Sequence, residues 1–235
     1  MTEADKRRAF SIYLCLAALF ITSLVVSNLI FQKFFSWKPF GEVRLFGVPL
    51  FELSVGILPY PITFLITDMV SEIFGRRKAN QIVTAGIFAS FFSLAIILLS
   101  IHVPAIGLSP VDDTTFARVF ALSPLAVLAS MLAYLSAQYV DIGLYHFWKR
   151  VTKGRMLWLR NNFSTFTSQT LDTVTVIGLM CLFRVIPWEY FKGLVISGVI
   201  FKIFMALLDT PFLYFFVYLV RKRFNLKIGE EISLD

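Results

Sequence analysis

Charge is scarce in this 235-residue chain. Asp, Glu, Lys and Arg make up 16% of it, against 57% hydrophobic residues and a mean hydropathy of +0.76. A soluble domain carries about a quarter charged residues, so a solvent-facing globule is excluded and a helical membrane protein is indicated. Cysteine is also sparse. Cys15 and Cys181 both stand inside apolar runs, which excludes a disulfide framework and a cysteine metal site. The only histidines, His102 and His146, lie far apart in sequence. No haem motif, P-loop or glycine-rich nucleotide motif occurs, so neither a metal nor a cofactor is expected. The formal net charge of +7 does not point to nucleic acid, because the basic residues follow another pattern, described below.

What the chain has in abundance is phenylalanine, 26 residues of it, and long apolar runs. A bilayer-crossing helix needs about 20 mainly apolar residues. Six stretches qualify: residues 10–31, 53–74, 82–101, 116–147, 163–183 and 191–220. The first is too long for a signal-peptide core. The last exceeds a straight span, so it must tilt, protrude or break, with Pro211 offering a break point. Fifteen of the 22 Lys and Arg fall beside residues 6–8, 76–78, 149–160 and 221–227, and six fall on the opposite side. Positive charge marks the cytoplasmic side, which predicts an all-α, six-span polytopic protein with both termini cytoplasmic, forming a single transmembrane domain over residues 1–235. Residues 36–52 mix apolar and polar side chains around two glycines. They predict an outer hairpin or re-entrant flap between the first two spans.

Ionisable groups inside hydrocarbon cost about 2.5–3.5 kcal/mol each on insertion scales, so those present are candidates for function. In TFLITDMVSEIFGRRK, Asp68 and Glu72 share a helical face one turn apart. Glu72 is four residues from Arg76 and is expected to form a boundary ion pair. Asp68 is about 12 Å deeper and reads as a site residue. In the fourth span Tyr134, Gln138, Asp141 and Tyr145 step by 4, 3 and 4 residues and share a face. Asn162, Thr165, Gln169 and Asp172 do the same in the fifth. The sixth supplies Lys202, for which Asp172 or Asp209 could serve as partner, and the first supplies Asn28. Amides, carboxylates and one lysine among aromatics suit a flat hydrogen-bonding ligand such as a purine-like ring, and equally suit other polar metabolites. The plain alternative for each residue is a structural interhelical hydrogen bond.

Four segments carry a family resemblance: SNLI (27–30), GILPYPITFLITDMVSEIFGRRKA (56–79), SAQYVDIGLYHFWK (136–149) and LRNNFSTFTSQTLDT (159–173). They resemble the bacterial queuosine precursor transporters, also called the vitamin uptake transporter family. The resemblance implies a multi-pass protein of the bacterial inner membrane that is not an enzyme. It implies import of 7-cyano-7-deazaguanine or 7-aminomethyl-7-deazaguanine for tRNA queuosine salvage, with lipid bilayer and small-molecule substrate as partners and a homo-oligomer allowed. The family's motif positions fall on Asn28, Asp68, Glu72, Gln138, Asp141, Asn162, Gln169 and Asp172. Substrate contact is expected from Asn28, Asp68, Gln138, Asp141, Asn162, Gln169, Asp172 and Lys202, with Glu72 and Asp209 in structural or boundary ion pairs. A rival reading is the substrate-binding subunit of an energy-coupling-factor importer for another small metabolite. An intramembrane hydrolase is disfavoured, because His146 and His102 sit at opposite ends of the spans.

Overall fold

The computed structural model describes residues 2–31, 33–36, 41, 44–45, 48–49, 52–120, 124–184 and 186–234. Among the described residues seven α-helices dominate: α1 (Glu3–Ile30), α2 (Tyr60–Ile73), α3 (Gly75–Ile101), α4 (Asp113–Phe120), α5 (Pro124–Val151), α6 (Leu157–Leu182) and α7 (Phe191–Phe224). A capping box starts α1, where Thr2 Oγ1 accepts from the Asp5 amide at 3.1 Å and Asp5 reaches back to Thr2. Helix α5 packs most extensively on α6, and α6 in turn on α7. Among the described residues, α1, α3 and Trp188–Phe224 are long and apolar enough to cross a membrane by length and composition. Their outward rings and aliphatics, such as Phe88, Leu99, Phe212 and Phe215, are exposed in the isolated chain, as a lipid-facing surface would be.

Helix α2 is the hub. It has 14 residues and spans about 21 Å, too short to cross a bilayer alone. Eleven of its residues are buried, packed against α1, α3, α5 and α7. The apolar run at 53–74 is therefore not one helix. It is a strand end, a 3-10 turn (Val55–Ile57) and then α2. Pro59 and Pro61 place the break, because proline suits a first helical turn, where no amide partner is required. At the other end Gly75 adopts φ +80° and joins α2 tightly to α3. A Cβ there would collide with the Glu231 carboxylate, which folds over this joint.

Other boundaries also move. The helix expected at 82–101 begins at Gly75, and the one expected at 116–147 becomes α4 and α5. Basic helix ends escape an apolar-run reading because Arg and Lys propagate a helix as well as Leu does. Helix α7 continues through Pro211 for 34 residues, about 51 Å, so the proline does not break it.

The strands β1 (Phe34–Ser36) and β4 (Glu52–Ser54) pair antiparallel, as do β2 (Arg44–Leu45) and β3 (Val48–Pro49). Most of the flap expected between 36 and 52 lies outside the described residues. Beyond α7, residues 226–234 turn back under α2. The Ile232 amide donates to the Ile73 carbonyl at 2.7 Å, and Ile232 is buried in the core.

Candidate functional site

One cavity of about 530 Å³ opens between α1, the 3-10 turn, α5, α6 and α7. The broken entry to α2 forms part of its wall. Gly56 approaches α1 so closely that Ser27 Oγ donates to its carbonyl. Most of the cavity lining is apolar. The polar feature is a convergence on Asp172 of α6. Its Oδ2 accepts from the Tyr60 hydroxyl at 2.5 Å and from Lys202 Nζ of α7 at 2.6 Å. Its Oδ1 accepts no hydrogen bond among the described residues. Lys202 Nζ also lies 4.5 Å from the centre of the Tyr60 ring, a cation–π contact. Tyr60 packs edge-on against Tyr134 with centroids 5.6 Å apart, and Phe64 completes the aromatic corner.

Of the residues expected at the site, Asn28, Asp172 and Lys202 line this cavity. The rest lie elsewhere. Gln138 stands behind the wall and donates from Nε2 to the Tyr134 hydroxyl at 2.8 Å. Asp68 and Asp141 form a separate buried pair on α2 and α5, close enough to interact directly. Thr165 and Ser168 of α6 donate to them at 3.4 and 2.8 Å. Asn162 bridges α6 to Thr210 of α7 and to the Trp158 carbonyl. Gln169 is buried, and its Oε1 has no partner among the described residues.

A third layer lies below, around Glu72. Sequence spacing pointed to a boundary pair with Arg76. Glu72 is instead fully buried, and its Oε1 meets Arg160 Nη2 and Arg221 Nη2, each at 2.5 Å. Tyr145 donates to Oε2 at 3.0 Å, and Lys149 stands 3.8 Å away. The ion pair sits inside the protein, away from the boundary. It is favoured because Arg160, counted by position as a rim charge, is itself wholly buried and needs a carboxylate. Asp209 takes no part in the Lys202 pair; Asp172 does.

The polar faces of α5 and α6 thus run down through three levels. Tyr134 and Asp172 serve the cavity, Asp141, Ser168 and Thr165 serve the Asp68 pair, and Tyr145 serves Glu72. Tyr60 escaped sequence reading because it stands between two prolines, in what looked only like a helix break. The signal available was a lone tyrosine at the first turn of the polar span.

Residues 54–216, more than half of the chain, match a family described as "Putative vitamin uptake transporter". The chain belongs to the vitamin uptake transporter family. A curated relative from Bacillus subtilis (strain 168), named "Probable queuosine precursor transporter", is 27% identical over 173 residues, covering 73% of each chain. No solved structure matches. Membership makes the protein a transporter and not an enzyme. In this vitamin uptake transporter the matched region contains α2, α5 and α6 whole, together with Lys202, so most of the three polar levels belongs to the family's part of the chain, with Asn28 and Arg221 lying outside it.

Proposed function

We propose that this transporter imports 7-deazaguanine precursors of queuosine, the nitrile, the aminomethyl base or both, across the bacterial inner membrane for tRNA modification. The observation that carries this reading is the Asp172–Lys202 pair in an otherwise aromatic and aliphatic wall. A cavity near 530 Å³ is of the size that holds a small ligand. The free Oδ1 of Asp172 can accept N–H groups from a flat heterocycle, Lys202 can donate to a ring carbonyl, and Tyr60 and Tyr134 offer ring faces and edges. The name of the Bacillus subtilis relative supports the same substrate class.

In this reading the chain spans the membrane six times with both termini cytoplasmic. Helix α2 is buried by its neighbours and so needs no full bilayer thickness of its own. Leu53 and Ser54 of β4 line the cavity, which supports a role for the strand pairs as a cover over its outer mouth. Asp68 and Asp141, with Gln138 behind Tyr134, support the site from the level beneath. The test is uptake of each labelled base by a bacterial strain deleted for its own carrier and supplied with this gene. Accumulation of either base is expected, and absence of both overturns the reading. Uptake by the purified chain alone in liposomes separates it from a subunit that depends on coupling proteins.

A further inference from the structure

A second cavity, of about 480 Å³, lies at the opposite end of α5 from the first. Tyr134 and Lys149 are 15 residues apart on that helix, so the two cavities are separated by about 22 Å. Its wall brings together Arg76 from α3, Lys149 and Arg150 from α5, Lys153 from the α5–α6 loop, and Glu231 from the returning tail. Backbone forms the floor. Gly154 (φ +76°) and Gly229 (φ +84°) approach so closely that a Cβ on Gly154 would stand 2.9 Å from Gly229 Cα.

The charge in this wall does not balance. Four cations face one carboxylate, and Glu231 is already committed to Lys149 at 2.7 Å. Among the described residues no carboxylate pairs with Arg76, Arg150 or Lys153. They converge nonetheless: Arg76, Arg150 and Lys149 all lie within electrostatic reach of the His146 ring in the same wall. Like charges held around a concave surface repel one another and raise the local concentration of anions. Basic residues on the cytoplasmic side need not gather around one cavity to satisfy the orientation rule. Here three separate segments deliver them to one. Guanidinium groups favour phosphate through paired N–H donors, and lysine adds a compact positive charge.

We propose that this cavity is an anion site that takes a phosphate group, carried by a lipid headgroup or by a small soluble metabolite. The bound anion neutralises Arg76, Arg150 and Lys153. It also ties the tail to α3 and α5, because Ile228 and Gly229 form part of the same wall.

The experiment uses the purified full-length chain in phosphatidylcholine nanodiscs. Inorganic phosphate is titrated against chloride at matched ionic strength, and parallel nanodiscs contain phosphatidylglycerol. The readout is the thermal midpoint and the apparent affinity. The double variant Arg150→Gln, Lys153→Gln is measured alongside; both side chains lie outside the buried core, so the fold should hold. Stabilisation by inorganic phosphate supports a soluble ligand, and stabilisation by phosphatidylglycerol alone supports a lipid. In either case the double variant should bind at least roughly tenfold more weakly. No stabilisation by either probe, or equal stabilisation of the variant, overturns the proposal. The assay needs no transport, so its failure leaves the substrate reading untouched.

Discussion

Lys202 and Asp172, thirty residues apart in sequence, are joined at 2.6 Å in the wall of the larger cavity, and Tyr60 donates to the same carboxylate oxygen. Two donors on Oδ2 fix the carboxylate plane and leave Oδ1 for another partner. Tyr60→Phe removes one donor and keeps the ring. A hydrogen bond to a charged group is worth about 1.5–3 kcal/mol, so uptake should fall roughly tenfold with protein level unchanged. Wild-type uptake in this variant would show that the Tyr60 hydroxyl does not help to position the site.

Glu72 holds two arginines at the lowest polar level. Glu72→Gln leaves the buried Arg160 guanidinium without its carboxylate. Breaking a buried pair in this way costs about 3–5 kcal/mol. At about 2–4 °C per kcal/mol, the thermal midpoint of the detergent-solubilised protein should drop on the order of 10 °C. An unchanged midpoint would contradict a structural role for this cluster.

Gly56 sets the spacing between the 3-10 turn and α1. A Cβ there would lie 2.6 Å from the Ser27 carbonyl oxygen and 2.8 Å from Phe31 Cβ, so α1 must shift away from the cavity mouth. Gly56→Ala should reduce uptake several-fold. Gly143→Ala meets nothing within 4 Å and should be neutral or stabilising by up to about 1 kcal/mol, from helix propensity. Equal effects in uptake assays would remove the packing argument.

Much of this was legible in the sequence and some was not. Spacing of three and four residues gave the correct buried faces, since Tyr134, Gln138, Asp141 and Tyr145 are all buried, as are Asn162, Thr165, Gln169 and Asp172. Spacing does not give the height of one helix against another. Of the eight residues expected to share a site, three line the cavity, two form a carboxylate pair, Asn162 bridges two helices, Gln138 backs Tyr134, and Gln169 is buried with its Oε1 unpartnered among the described residues. Partner choice failed for the same reason. Glu72 lies four residues from Arg76 along the chain but binds Arg160 and Arg221 across helices. The tail at 226–234 carries no apolar run, so nothing in its composition announced that Ile232 would be buried beneath α2.

The proposed orientation rests on the asymmetry of basic residues. In a background lacking Cys15 and Cys181, a cysteine at position 112 should react with an impermeant thiol reagent in intact cells. One at position 77 should react only after lysis. Both positions are exposed in the structure, so burial does not confound the assay. The reverse labelling pattern would overturn the proposed topology.

The pair itself decides the central claim. Asp172→Asn alone leaves Lys202 without its counter-charge, so some loss of stability is expected alongside loss of transport. Asp172→Asn combined with Lys202→Met removes both charges and should restore the thermal midpoint to near the wild-type value. The decisive measurement is uptake of labelled 7-deazaguanine base by cells carrying this double variant at wild-type protein level. If the pair reads the ligand, uptake stays at the background of the deletion strain. If uptake returns with stability, Asp172 and Lys202 only neutralise one another, and the site lies elsewhere.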